Sequence, residues 1–154
     1  MLGGKTWEET SQEAAFPIHA FGSAGGLEGS ILIHVNNTLS NELQDILPAL
    51  IKNLCFEVTR ELQTEDHAIY HFYSYPDQVH FSRQGDEISI TGSEEIHPAS
   101  YNAKELTTGL YNCGRRFIDM MHHFCATDSE NAAAYALPSL IDLLETTAAD
   151  HPNR

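Results

Sequence analysis

The stretch HAIYHFYSYPDQVHFSRQGDEISI, residues 67–90, alternates in side-chain character with a period of two for most of its length. That period marks strands that bury one face. Ala68, Tyr70 and Phe72 fall on one side of the first run; His67, Ile69, His71 and Tyr73 fall on the other. Tyr75-Pro76-Asp77 carries turn chemistry. In the second run Val79 and Phe81 share a face with Arg83, and His80 and Ser82 oppose them. Gly85-Asp86 has glycine first, as a two-residue II′ hairpin loop requires. With that loop Phe81 lies opposite Ile90 and Arg83 opposite Ile88, so the apolar faces match. If Phe72 pairs with Val79, then Tyr70 pairs with Phe81, and His71 stands across from His80.

Upstream, SILIHVNN (residues 30–37) alternates again, and Asn36-Asn37 ends this strand. Ser40 is placed to cap a helix whose buried stripe runs through Leu43, Ile46, Leu47, Leu50, Ile51 and Leu54. Pro48 lacks a backbone donor, so a kink or a late start is expected there. The stripe continues to Val58 and Leu62, with a strand at CFEVTR (55–60) as the competing reading. Downstream, SEEIHP is a loop. Asn102 and Glu105 form a capping box with Tyr101 and Leu106 at the staple positions. Ala103, Leu106, Leu110, Cys113, Phe117, Met120 and Phe124 then mark the buried seam of a helix of about six turns. Asp128 or Ser129 caps a last helix carrying Ala133, Leu137, Leu140, Ile141 and Leu144. LPALIKNL and LPSLIDLL echo each other without making a repeat. The fold class expected is α+β, one antiparallel sheet of about four strands with helices packed on one face. It occupies a single domain over 28–150, after a flexible lead-in over 1–27. The glycine-rich FGSAGGLEGS lacks the GK[ST] of a phosphate loop.

The chain has 154 residues and is 42% hydrophobic, enough for one domain with a real core. Twenty-two acidic against eight basic residues give a net charge of −14. Such a chain repels nucleic acid and anionic membrane and attracts basic partners. The N-terminus shows no secretory h-region, and no run approaches the ~20 apolar residues of a membrane span. Cys55, Cys113 and Cys125 are not in CxxC spacing and read as reduced, mostly buried thiols. Together these point to the cytoplasm.

No constellation proposes catalysis, and no cofactor or metal is expected. His71 and His80, with His67 or His34, make a metal pair at best, and zinc takes three or four ligands. Asp119, His122, His123 and Cys125 crowd one helix end, where the helix dipole already favours histidine. Cys113 lies on the buried seam, the serines lack a GxSxG context, and Glu94-Glu95 has no companion base. The acids say more. Glu61, Glu65, Asp66, Asp77, Asp86, Glu87, Glu94 and Glu95 face Arg83 alone between 61 and 100. A partner-binding patch of Asp66, His71, Tyr73, Tyr75, Asp77, His80, Asp86 and Glu87 is therefore expected. Its acids would meet Lys or Arg, and its tyrosines would supply buried anchors.

In size, charge and element order, the chain resembles bacterial immunity proteins of contact-dependent growth inhibition and other polymorphic toxin systems. The resembling parts are SILIHVNNTLSNELQDILPALI, PDQVHFSRQGDEISITG and YNAKELTTGLYNCGRRFIDMM. The resemblance implies a non-enzymatic protein that neutralises a cognate, basic toxin domain, such as a nuclease, by occluding its active site. No binding residue carries over from it. Two alternatives stand beside it. One is an acidic secretion chaperone that holds an extended effector segment. The other is a His-based metal-dependent enzyme.

Overall fold

The computed structural model describes residues 28–35, 38–134 and 136–151. The expected lead-in at 1–27 and the Asn36-Asn37 strand end lie outside the described residues. The chain runs through a hairpin of β1 (Glu28–Val35) and β2 (Thr38–Ile46), then helix α1 (residues 47–64). Strands β3 (His67–His71), β4 (Gln78–Gln84), β5 (Glu87–Thr91) and β6 (Ala99–Asn102) follow. Helices α2 (Ala103–Thr127), α3 (Ser129–Ala134) and α4 (Leu137–Ala149) complete it. The architecture is α+β. Strands β3-β4-β5-β6 form a four-stranded antiparallel meander, and β1-β2 form a separate two-stranded sheet. The fourth strand of the meander is thus β6, not the 30–35 strand.

The β4–β5 hairpin has the expected register, Phe81 opposite Ile90 and Arg83 opposite Ile88. Gly85 has φ of 62° and Asp86 a negative φ, the φ sequence of a II′ turn. The β3–β4 register differs from expectation: Tyr70 faces Val79, Ala68 faces Phe81, and Ile69 faces His80. The shift is by an even number of residues, so every side chain keeps its face. Phe72, expected opposite Val79, instead closes a shorter loop by donating its N–H to Asp77 O at 3.1 Å. It stacks on Tyr75 at 4.5 Å and meets Tyr70 edge-on at 5.2 Å.

Residues 38–46 are a strand where a helix was expected. Their buried face carries Asn41, Leu43 and Asp45, so polar residues break the apolar alternation. Ser40 therefore caps nothing. It is the bulged residue of β2, between the pairs Ile33–Asn41 and His34–Leu39. The helix starts late, at Leu47-Pro48, where a missing N–H is harmless. Leu50–Val58 winds as a π-helix. Lys52 and Glu57, five apart, pair across the wide turn at 2.9 Å. Val58 and Leu62 are buried on this helix, so 55–60 is not a strand.

Helix α2 begins as its capping box dictates, with Glu105 N–H donating to Asn102 Oδ1 at 3.0 Å. Its buried face is wider than the seam, adding Tyr111, Gly114, Ile118 and Met121, while Met120 is half-exposed. The last helix is broken in two. Pro138 cannot extend a helix from Ala134, whose carbonyl its ring would strike, and Ala136 turns the chain with φ of 56°. α1, α2 and α4 pack on one another, and α1 and α2 also meet the sheet. Tyr70, Val79, Phe81, Ile88 and Ile90 point into this layer and are buried. Each such side chain contributes roughly 1.5–3 kcal/mol by leaving water.

Candidate functional site

The hairpin lies across one end of the meander, and two buried polar residues of β2 hold it there. Asn41, 1% exposed, acts as a backbone surrogate. Its Oδ1 accepts from His97 N–H at 2.8 Å, and its Nδ2 donates to His97 O at 2.9 Å and to Tyr101 Oη at 3.1 Å. Ser40 Oγ and Tyr101 Oη close the same corner at 2.5 Å.

Asp45, 2% exposed, holds the β3–β4 loop. Tyr70 Oη (2.8 Å) and Tyr73 N–H (2.8 Å) donate to Oδ2. Ser74 N–H (3.0 Å), Ser74 Oγ (2.7 Å) and Ile46 N–H (2.8 Å) donate to Oδ1. Burial pushes the Asp45 carboxyl up, but the donors Ser74, Tyr73, Tyr70 and Ile46 together hold it below its ordinary range. Burial, then the Asp45 hydrogen bond and charge, push the Tyr70 phenol far up, so it stays a donor.

Above this floor opens a cleft of about 500 Å³ between β2 and the loops 72–77 and 92–98. Glu28, Glu42, Asp45 and Glu95 line it, with His97 at the rim. A neighbouring hollow shares Tyr75, Ser93 and Glu95 and adds Asp77 and Glu94. Neither lining contains Lys or Arg. Tyr75 stands between the two, half-buried. Burial, then the Glu95, Asp45 and Asp77 carboxylates, push its phenol up. The Ser93 hydroxyl and Gln78 N–H hold the Asp77 carboxyl below its ordinary range. Tyr73 projects from the adjoining loop, 69% exposed. The arrangement suits a cationic group: carboxylates on a fixed frame, flanked by aromatic rings.

The expected patch is therefore split. Tyr73, Tyr75 and Asp77 sit at the cleft. Asp66, Asp86 and Glu87 are exposed at the opposite end of the meander, where the Asp66 and Asp86 carbonyls accept from Arg83 and Ala103 N–H. His71 and His80 lie on the uncovered sheet face between these ends. They are not opposed: His71 faces Gln78, and His80 Nε2 meets Gln78 Nε2 at 2.8 Å. His80 instead neighbours His67, ring centroids 5.6 Å apart. His122 pairs with Glu145 of α4 at 2.5 Å. Among the described residues no three His, Cys, Asp or Glu side chains gather around one point. Among them, too, no helix is long and apolar enough to cross a membrane. Glu28 was missed because it fell in the glycine-rich stretch ahead of a strand read from residue 30, and Glu42 and Asp45 because 38–46 read as a helix. As a strand, its alternation puts Glu42 outward and Asp45 inward.

No protein-family model matches the chain, and no curated protein or solved structure is significantly similar to it.

Proposed function

We propose that this protein is a non-catalytic binding protein, an immunity protein that neutralises a basic toxin domain by covering its active site. The carrying observation is the cleft and the hollow beside it, where Glu28, Glu42 and Glu95 in the one and Asp77 and Glu94 in the other gather without a Lys or Arg. The net charge of −14 supports fast encounter with a basic partner. The frame of Asn41 and Asp45 supports a surface that needs little ordering on binding. Tyr73 and Tyr75 are the anchors, and the carboxylates meet Lys or Arg of the toxin.

The test is capture from the native cell at low salt with three baits. These are the wild-type chain, Glu42→Lys/Glu95→Lys at the cleft, and Asp86→Lys/Glu87→Lys at the far end. A single stoichiometric partner with a basic folded domain is expected on the first and third baits. Its association with the cleft variant should slow by about tenfold or more at low salt. Equal retention by all three baits would overturn the cleft assignment. A partner held through an extended segment would favour the chaperone reading.

A further inference from the structure

On the other side of the hairpin, β1 has an edge that no strand of the described residues covers. Its ladder partner is β2 alone, and β2 carries the bulge, so β1 itself runs regularly. Edge strands that stay single are guarded by lysine, proline, a bulge or an inward charge. β1 carries a charge only at its first residue, Glu28, and GSILIHV, residues 29–35, has none of these. A groove of about 410 Å³ runs beside Ile31–Val35, floored by Leu106, Leu110 and Cys113 of α2. Glu105 and Arg116 are its charged liners and balance each other, whereas the cleft across the hairpin is lined by uncompensated carboxylates. Val35 and Leu39, 41% and 51% exposed, extend the apolar surface along the hairpin.

We propose that this edge pairs with β1 of a second copy of the chain, giving a two-fold dimer with a continuous β2-β1-β1-β2 sheet. The charge distribution selects this occupant. Two copies of charge −14 repel, so contact is favoured where carboxylates are few and compensated, as beside β1. Antiparallel pairing about an axis at Leu32 sets Leu32 against itself, Ile31 against Ile33, Ser30 against His34 and Gly29 against Val35. No like charges oppose, and apolar residues meet at the centre.

The experiment is sedimentation velocity on the full chain from micromolar to sub-millimolar concentration, at low and high salt. The dimer fraction should rise with concentration, and also with salt as the mutual repulsion is screened. Leu32→Lys brings two cations together at the axis; His34→Lys, at an exposed site should the first fail to fold, sets a lysine on the edge itself, opposite Ser30 of the other copy. Each should raise the dissociation constant by roughly tenfold or more. Leu143→Lys, on the exposed face of α4, should leave it unchanged. A monomer under all conditions overturns the proposal, as does a dimer indifferent to Leu32→Lys and His34→Lys, or one equally sensitive to Leu143→Lys. A monomer in which the β1 amides that point away from β2 resist hydrogen exchange would assign the edge to a different occupant and overturn it too.

Discussion

Asp45 couples the hairpin to the meander because it is itself buried and gathers the buried Tyr70 hydroxyl together with the part-buried amides of Tyr73 and Ser74. Truncating it to Ala leaves the buried Tyr70 hydroxyl unsatisfied and strips the Tyr73 and Ser74 amides of the acceptor that fixes their loop. A buried donor without a partner costs ~1–3 kcal/mol. Loop relaxation returns some of this, so Asp45→Ala should lose about 3–5 kcal/mol in urea unfolding. Asp45→Asn should lose less, since its amide oxygen still accepts. The pH dependence has a definite sign. The folded carboxyl lies below its ordinary value of 3.8. Its contribution is therefore complete above that value and is lost as pH falls through the folded pKa. The acid limb of wild type below pH 3.8 should be shallower in Asp45→Asn, and identical limbs would refute the assignment. Asp45 and Asn41 were hard to read from sequence for the reason that makes them matter. A polar residue on an inward position erases the pattern that identifies the position as inward, and only the partners brought by distant chain segments explain it.

Two glycines of one helix separate local propensity from packing. Gly109 has nothing within 4 Å of where a Cβ would stand. Gly109→Ala should gain about 0.5–1 kcal/mol, the ordinary helix benefit. A Cβ on Gly114 would lie 2.6 Å from Phe56 Cζ and 3.0 Å from Cys55 Cβ. Gly114→Ala should instead lose about 1–3 kcal/mol, because α1 must back away from α2. Adding Phe56→Leu should recover part of that loss. Thermal unfolding of the three variants checks the signs, and a gain from Gly114→Ala alone would contradict the close helix approach. The same distinction governs which elements were legible. Helix α2 and the β4–β5 hairpin are specified locally, by Asn102 and Glu105 and by Gly85, and both formed as their sequences imply. β2 is set by Asp45, whose distant partners lie 25 to 29 residues away, and the β3–β4 register by a loop that Asp45 holds and the Phe72–Tyr75 stack tightens, and both were misread. The cleft inherits that error, since β2 forms one of its walls.

Across the whole molecule, the helical layer is closed at the chain's far end by His151. This residue is 1% exposed, beyond the last turn of α4. Its ring lies 4.6 Å from that of Tyr111 on α2, and its Nε2 is 2.6 Å from Thr59 Oγ1 on α1. The Thr59 hydroxyl hydrogen is directed at Cys55 O, 2.6 Å away, so Nε2–H is the donor in this bond. Burial and the Arg60 guanidinium push the imidazole below its ordinary value of 6.5. Two opposed pH effects follow. Acidification lowers the net negative charge and relieves the repulsion within a chain of charge −14, which favours the folded state. It also protonates His151 in the unfolded chain before the folded one, which favours unfolding from pH 6.5 down to the folded pKa, where the loss levels off. A stability profile of wild type alone mixes the two, but His151→Gln retains a donor and does not titrate. At neutral pH it should be less stable than wild type by about 1–2 kcal/mol, from the imperfect fit against Thr59 and Tyr111. That gap should narrow as pH falls below 6.5, because only wild type loses the His151 contribution. Urea unfolding of both proteins across this range decides it: a gap constant with pH would mean that His151 closes the layer by packing alone.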